Sequence, residues 1–184
     1  MPNQRTGCAG FTLSELLVVL SIVGLLQTLA VPAMRSVVDS IRLSMATQTF
    51  LSYLHQTRGE AIKRNARVVL CKSDTGSRCV RTGGWEQGWI IFHDVNNNAV
   101  VDTGETVVQR EPPLGKALRL TGNIQIESYI SFTPSGNTST TSGAFQAGTL
   151  TVCRESADRT QARQIVISSG GRIRTQKLDL DRCA

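Results

Sequence analysis

The sequence predicts an α+β fold, with one long N-terminal helix packed on an antiparallel, β-rich globular head. Three observations carry that prediction. Residues 11–31 are apolar apart from short polar side chains, and Glu15 is their sole charge. From Met34 to Ile62 the apolar residues recur at helical spacing. Beyond Arg64 the period shortens to two, and turn-forming residues divide the chain into eight short segments. A length of 184 residues suits one domain plus a helix rather than two domains. The expected divisions are 1–10, 11–64 and 65–184.

The N-terminal stretch is taken first. Residues 11–31 would form a helix of about 31 Å at ~1.5 Å per residue, which matches the roughly 30 Å hydrocarbon layer of a bilayer. A lone carboxylate at that depth costs on the order of 2.5–3.5 kcal/mol, which marks Glu15 as functional. It stands in Gly10-Phe11-Thr12-Leu13-Ser14-Glu15, where Gly10 ends a first ten residues whose only charge is Arg5, and Pro32 closes the apolar run. These residues resemble the leader and start of type IV pilins and type II secretion pseudopilins. The resemblance implies that a prepilin peptidase cuts after Gly10 and methylates the new amine of Phe11. An ordinary secretory signal loses its apolar core on cleavage, whereas here the core is retained. A buried ammonium on Phe11 of one subunit would then need a counter-charge, and Glu15 of another can supply it. The plainer alternative is a membrane anchor with Glu15 at headgroup level.

The helix is expected to continue to about Arg64, kinked near Pro32 where a backbone donor is missing. Met34, Val37, Val38, Ile41 and Met45 form one run of apolar positions. Phe50, Leu51, Leu54, Arg58, Ala61 and Ile62 form the next. Both are expected to pack on the following domain, with His55 on or beside that interface in a structural role.

Strands are expected at 66–72, 88–93, 105–111, 116–121, 124–133, 148–154, 163–168 and 171–177, giving a sandwich or barrel-like sheet. The turn signals are Asp74-Thr75-Gly76-Ser77, Thr82-Gly83-Gly84, Glu111-Pro112-Pro113 and Ser168-Ser169-Gly170-Gly171. Residues 135–142 are polar and of low complexity and are expected to be a mobile loop. Within the head, Gly88-Trp89-Ile90-Ile91-Phe92-His93-Asp94-Val95-Asn96-Asn97-Asn98 is similar to a signature of the FimT/GspH group of minor pilins. Phe132-Thr133-Pro134-Ser135-Gly136 and Gly171-Arg172-Ile173-Arg174 support the likeness. It implies the pilin fold, a long helix followed by a β-rich head.

Of five cysteines, Cys8 would leave with the leader and Cys71, Cys79, Cys153 and Cys183 would remain. An even number beyond a membrane reads as two disulfides. Three pairings are possible. Cys71–Cys79 and Cys153–Cys183 are preferred because each staples a local hairpin or a chain end. Loop closure would contribute roughly 2.6 and 3.7 kcal/mol. No Cys-x-x-Cys pair exists to suggest zinc.

Asp94, Asn96, Asn98, Asp102 and Glu105 fall at the first, third, fifth, ninth and twelfth places of an EF-hand-like loop. Ala99 stands where that loop wants glycine, however, and a strand precedes it rather than a helix. A self-bonded connector is the preferred reading over calcium. His55 and His93 are the only histidines, and no nucleophile elbow is present. The chain is read as no enzyme, with no cofactor, and as the substrate of the peptidase.

The sharper site is basic. From residue 154 to 184 seven basic side chains face four acidic ones, a net of +3. Arg172 and Arg174, two apart on an expected strand, would leave one face. Gly170 and Gly171 would form a tight turn with exposed N–H donors. Guanidinium forks suit phosphate oxygens without reading bases. Gly171-Arg172-Ile173-Arg174 matches the Gly-Arg-x-Arg motif of the FimT branch. The resemblance implies that Arg172 and Arg174 contact DNA during natural transformation, with Lys177 and Arg163 in support. With no aromatic residue in the cluster, contact would be salt-sensitive and sequence-blind.

The expectation is a minor pilin of the FimT kind. It would be a single-pass inner-membrane protein with a periplasmic head, later assembled with other pilins into a pilus at the cell surface. Its partners would be those pilins, the prepilin peptidase, the inner membrane and DNA. The alternatives are a minor pilin that primes assembly without binding DNA, and a GspH-like pseudopilin of a type II secretion system.

Overall fold

The computed structural model describes residues 12–115, 117–156 and 159–183, with every helical side chain except those of Leu29, Pro32, Ala33 and Arg35. The leader with Gly10, together with Phe11 and Lys116, lies outside the described residues, and so does the Pro32 ring expected to kink the helix. One helix, α1 (Leu13–Arg64), is followed by β1 (Val68–Lys72), β2 (Trp89–His93), β3 (Val107–Glu111), β4 (Leu118–Gly122), β5 (Tyr129–Phe132), β6 (Gly148–Arg154), β7 (Thr160–Ile167) and β8 (Ile173–Leu180). A single 3-10 turn, Trp85–Gln87, precedes β2.

The ends of α1 are written in the sequence. Thr12 Oγ1 accepts the Glu15 N–H at 3.3 Å, and the Glu15 carboxylate accepts the Thr12 N–H at 2.9 Å. This reciprocal pair is a capping box. At the other end Lys63 and Arg64 face the negative pole of the helix. Asn65 turns left-handed at φ 50°. The Ala66 N–H then reaches Ala61 O and the Asn65 N–H reaches Ile62 O, each at 3.2 Å. That is a Schellman stop.

The chain divides into two compact units at Asp39/Ser40, inside α1. In the first, the leucines, valines and isoleucine of residues 13–26 are exposed along the helix. Among the described residues no helix is long and apolar enough to cross a membrane.

The second unit, from Ser40 on, holds two four-stranded antiparallel sheets. Their strand orders are β3-β2-β1-β5 and β4-β6-β7-β8. Leu43, Ala46, Phe50, Tyr53, Leu54 and Ala61 of α1 are buried in one core with Val68, Leu70, Trp89 and Ile91 of the first sheet. Leu120, Leu150, Val152 and Ile165 of the second sheet share that core. Phe50 is its hub, set edge-on to Trp85 and Trp89 at centroid distances of 5.2 and 4.9 Å. Such pairs contribute about 0.5–1.5 kcal/mol each beyond burial.

The stripe expected to pack on the head needs correcting. Met34, Val37, Val38, Ile41, Met45 and Ile62 are exposed, and so is His55. At 100° per residue the run from Met34 to Met45 lies on roughly the opposite side of the helix from Leu43, Phe50 and Leu54. Two apolar faces were therefore read as one.

β1 and β2 are buried on both faces. Val68 and Leu70 look into the main core. Val69, Cys71, Ile90 and Phe92 are covered from outside by Cys79, Ala99, Val101, Val107 and Tyr129. This explains why these strands read as continuous apolar runs rather than alternating ones. The fifth expected strand shortens to Tyr129–Phe132, because the Ile126 N–H turns back to Asn123 O and Trp85 Nε1–H donates to Ile126 O. β7 starts earlier and β8 ends later than expected, their ladder running from Thr160↔Leu180 to Ile167↔Ile173.

Residues 135–142 are not the loose loop expected. Thr138 is buried, bridges to Phe132, and donates its hydroxyl proton to Gln146 O, while the Ser139 N–H reaches Ser131 O. The polar residues are there to satisfy buried backbone, a role that composition does not distinguish from solvation.

Candidate functional site

The β7–β8 hairpin turns through residues 168–171. The Gly171 N–H donates to Ser168 O (2.8 Å) and the Ser168 N–H to Arg172 O (3.0 Å). The Arg172 N–H donates to Ser168 Oγ at 3.2 Å. Gly171 sits at φ +70° and is buried; a Cβ there would collide with Gly136 O. That carbonyl also accepts the Arg58 Nε–H of α1 at 3.0 Å. The Thr138 N–H donates to Ser169 O at 2.9 Å. The turn is thus clamped between α1 and the 133–138 loop. The Gly171 N–H, expected to be an exposed donor, instead closes the turn.

Beyond the clamp, Arg172 and Arg174 are exposed, and Ile173 between them packs against the main core. The inward turn of Ile173 sends both arginines outward, as a period of two requires. Among the described residues neither guanidinium has a hydrogen-bond or ion-pair partner. Two unpaired guanidinium forks therefore stand side by side on a fixed turn, open to anionic oxygens.

The supporting cations take another direction. Arg163 stands directly opposite Lys177 in the ladder, whereas Arg174 stands opposite Val166. Arg163 shares the parity of Ile165 and Ile167, which face the core. It turns toward α1, where its Nη2–H donates to Ser44 Oγ at 2.9 Å. Sequence nearness had grouped Arg163 and Lys177 with Arg172 and Arg174. Strand parity places the two pairs on opposite faces of the sheet.

The 94–105 segment closes on itself. Buried Asp94 accepts the Asn98 and Ala99 N–H groups at 3.0 Å, and Glu105 accepts those of Val95 (2.8 Å) and Asp102 (3.1 Å). Asn96 and Asn98 donate to the Asp102 carboxylate. Ala99 adopts φ 57° without being glycine. Burial pushes the Asp94 carboxyl up, and the two backbone donors oppose it. Among the described residues no three His, Cys, Asp or Glu side chains are placed to hold a metal. These hydrogen bonds tie the carboxylates of the segment to its own backbone and amides.

Cys71 is joined to Cys79 and Cys153 to Cys183, with Cα separations of 5.6 and 5.8 Å. Between the first pair lies a feature the sequence did not announce. Lys72 is fully buried and its ammonium donates to Arg81 O (3.0 Å) and Gly83 O (2.7 Å), pinning the segment that follows Cys79. Burial lowers its pKa, and the charges of Glu127 and Glu86 oppose that shift. Arg58 was read as part of an apolar stripe; its contact with Gly136, far away in sequence, left no local signal.

Comparison with known proteins extends the description. A family model described as Type II transport protein GspH matches residues 46–171, and the prokaryotic N-terminal methylation motif matches residues 5–30. The chain is 38% identical over 96 residues to the pilin-like protein PilA1 of Thermus thermophilus, covering 52% of this chain and 54% of that protein. It thus spans about half the length of the curated relative it matches. The type IV minor pilin FimU of Pseudomonas aeruginosa superposes with a TM-score of 0.56 at 17% identity, over 79% of this chain and 98% of FimU. A second crystal form of FimU gives 0.53 at 18% identity, over 77% and 100%. At these identities the likeness is one of fold.

Proposed function

The chain belongs to the GspH family of type IV minor pilins and pseudopilins, and on that premise we propose that it is a minor pilin whose head binds DNA without sequence preference, for uptake in natural transformation. The observation that carries this is the pair of exposed, unpartnered guanidiniums of Arg172 and Arg174 on a turn fixed by Gly136, Arg58 and Thr138. Phosphate recognition of this kind needs cations held at fixed spacing and no base-reading groups. In this reading the leader at 1–10 is removed after Gly10 by the prepilin peptidase and Phe11 is methylated. The methylation motif over residues 5–30 supports that step. Residues 11–31 hold the protein in the inner membrane with its head in the periplasm, and later pack among other pilins in the pilus.

The reading is tested by fluorescence anisotropy of labelled duplex DNA with the mature full-length chain in detergent micelles. Replacing Arg172 and Arg174 together by alanine should weaken binding by about tenfold or more and leave the melting temperature unchanged. It should also lower the salt slope by about 1.8, two phosphate contacts at ~0.9 each. Equal binding by the double variant would overturn the DNA role.

A second reading, a GspH-like pseudopilin of a type II secretion system, is favoured by the match to Type II transport protein GspH, and a minor pilin that only primes assembly is the other alternative. The same assay separates the two, because neither requires DNA affinity.

A further inference from the structure

Among the described residues, neither of the two cations that parity turns away from Arg172 and Arg174 forms an ion pair. Arg163 and Lys177 stand directly opposite each other on β7 and β8. Directly opposed side chains have Cβ atoms about 4.5–5.5 Å apart, and like charges so placed repel. Both line a groove of roughly 330 Å³ between residues 44–51 of α1 and the edge strand β8, together with Ser44, Thr47, Leu51 and Thr175. Among the described residues no carboxylate lines it. Asp179 lines the adjoining groove that shares Arg163 and Lys177. It forms no ion pair with either among the described residues.

Arg163 adds a second, independent sign. Its Nη2 is held by Ser44 Oγ at 2.9 Å, yet its Nε is buried with no partner among the described residues. A buried N–H left without an acceptor costs free energy and calls for a missing partner. An acceptor bearing negative charge, placed in the groove, would satisfy that Nε–H. It would also relieve the repulsion between the two cations.

We infer that this groove is an oxyanion-binding subsite, in which Arg163 and Lys177 hold a carboxylate or phosphate group against the side of α1. The planar guanidinium, fixed on one side by Ser44, offers its remaining donors in a fork suited to two oxygens of one anion. Lys177, exposed at the sheet edge, supplies the point charge that closes over it. Leu51 lines the groove beside them. The site is separate from the proposed DNA surface, which lies on the other face of the sheet.

The test uses the full-length chain in detergent micelles, with sodium phosphate and sodium citrate titrated against sodium chloride at equal ionic strength. Binding is followed by calorimetry and by the NMR resonance of the Arg163 Nε–H. Saturable binding of either anion is expected, with a downfield shift of that resonance. Arg163→Gln and Lys177→Gln should each weaken it by about tenfold. Arg172→Ala with Arg174→Ala should bind the anions as tightly as the parent. The exposed Lys177→Gln variant keeps the test valid even if Arg163→Gln fails to fold. Absence of saturation, or equal binding by Lys177→Gln, would overturn the subsite. A third arm measures duplex DNA. Loss of DNA affinity on Lys177→Gln without any phosphate or citrate binding would also overturn it, assigning Lys177 to the DNA surface. Loss of DNA affinity confined to the Arg172 and Arg174 variant would leave both readings standing apart.

Discussion

Gly171 meets the Gly136 carbonyl because it carries no side chain. Gly171 needs its left-handed φ of +70° and the space that a Cβ would take from the Gly136 carbonyl. Strain at such a position costs of order 1–3 kcal/mol. Gly171→Ala should therefore lower the melting temperature by about 2–4 °C for each kcal/mol in a chain of this size, and it should displace Arg172 from its neighbour Arg174. Calorimetry reads the first effect and the DNA assay the second; an unchanged melting temperature would show that the clamp yields. Tyr53 gives a residue-scale prediction in pH. Its hydroxyl lies 2.7 Å from the Glu111 carboxylate and 3.0 Å from Arg110 O. Burial first, and then the Glu111 bond, push its pKa up to about 12. The folded state holds this proton more tightly than the unfolded chain, whose phenol titrates near ~10. The stabilisation is thus full below pH ~10 and is lost as pH rises toward 12. Tyr53→Phe should remove that alkaline slope, read by urea unfolding at a series of pH values, and should cost about 1–3 kcal/mol at neutral pH.

The two disulfides do different jobs at the scale of elements. Cys71–Cys79 closes a loop of sequence separation 8, next to which Lys72 holds Arg81 and Gly83, whereas Cys153–Cys183 ties the C-terminal end to β6 across a separation of 30. Chain entropy makes the longer closure worth about 3.7 kcal/mol and the shorter about 2.6. Cys153→Ser with Cys183→Ser should lower stability more than Cys71→Ser with Cys79→Ser, measured by denaturant unfolding without reductant. The reverse order would mean that Lys72 depends on its disulfide to stay buried. These elements also show what a sequence reveals. The helix stop near Arg64, both disulfides and eight strands could be read because each rests on the chain's own pattern: the end of helical spacing, cysteine pairs that staple a hairpin or a chain end, and short apolar segments between turn residues. The helix stripe was misread because two apolar faces, Met34 to Met45 and Leu43 to Ala61, overlap in sequence while pointing apart. The basic cluster was half legible. Parity put Arg172 and Arg174 together correctly, but pairing Arg163 with Lys177 requires the hairpin register, which only the ladder from Thr160↔Leu180 supplies. The contact of Gly136 with Gly171 lies beyond any local pattern.

At the scale of the whole molecule, the question is what Glu15 does. In the single chain it completes the capping box with Thr12, accepting both the Thr12 N–H and hydroxyl at 2.9 Å. That bond gives it a local structural role that the pairing with a neighbour's amine does not need. Two substitutions separate the roles. Glutamine can also complete a capping box, because its carbonyl accepts the same N–H, but it carries no charge; alanine loses both. If Glu15 serves only the cap, Glu15→Gln should enter filaments as the parent does and Glu15→Ala should fray the first turn. If it neutralises the Phe11 amine of a neighbouring subunit, both variants leave one buried charge unpaired, a loss of about 3–5 kcal/mol per contact. Both should then stay membrane-bound yet fail to assemble. We predict the second outcome, because a carboxylate kept in an apolar stretch for a cap alone would have a neutral substitute in glutamine. Immunoblotting of sheared filaments against membrane fractions decides it. Glu15→Gln recovered in filaments at parental levels would show that the cap, not the charge, is what the molecule needs there.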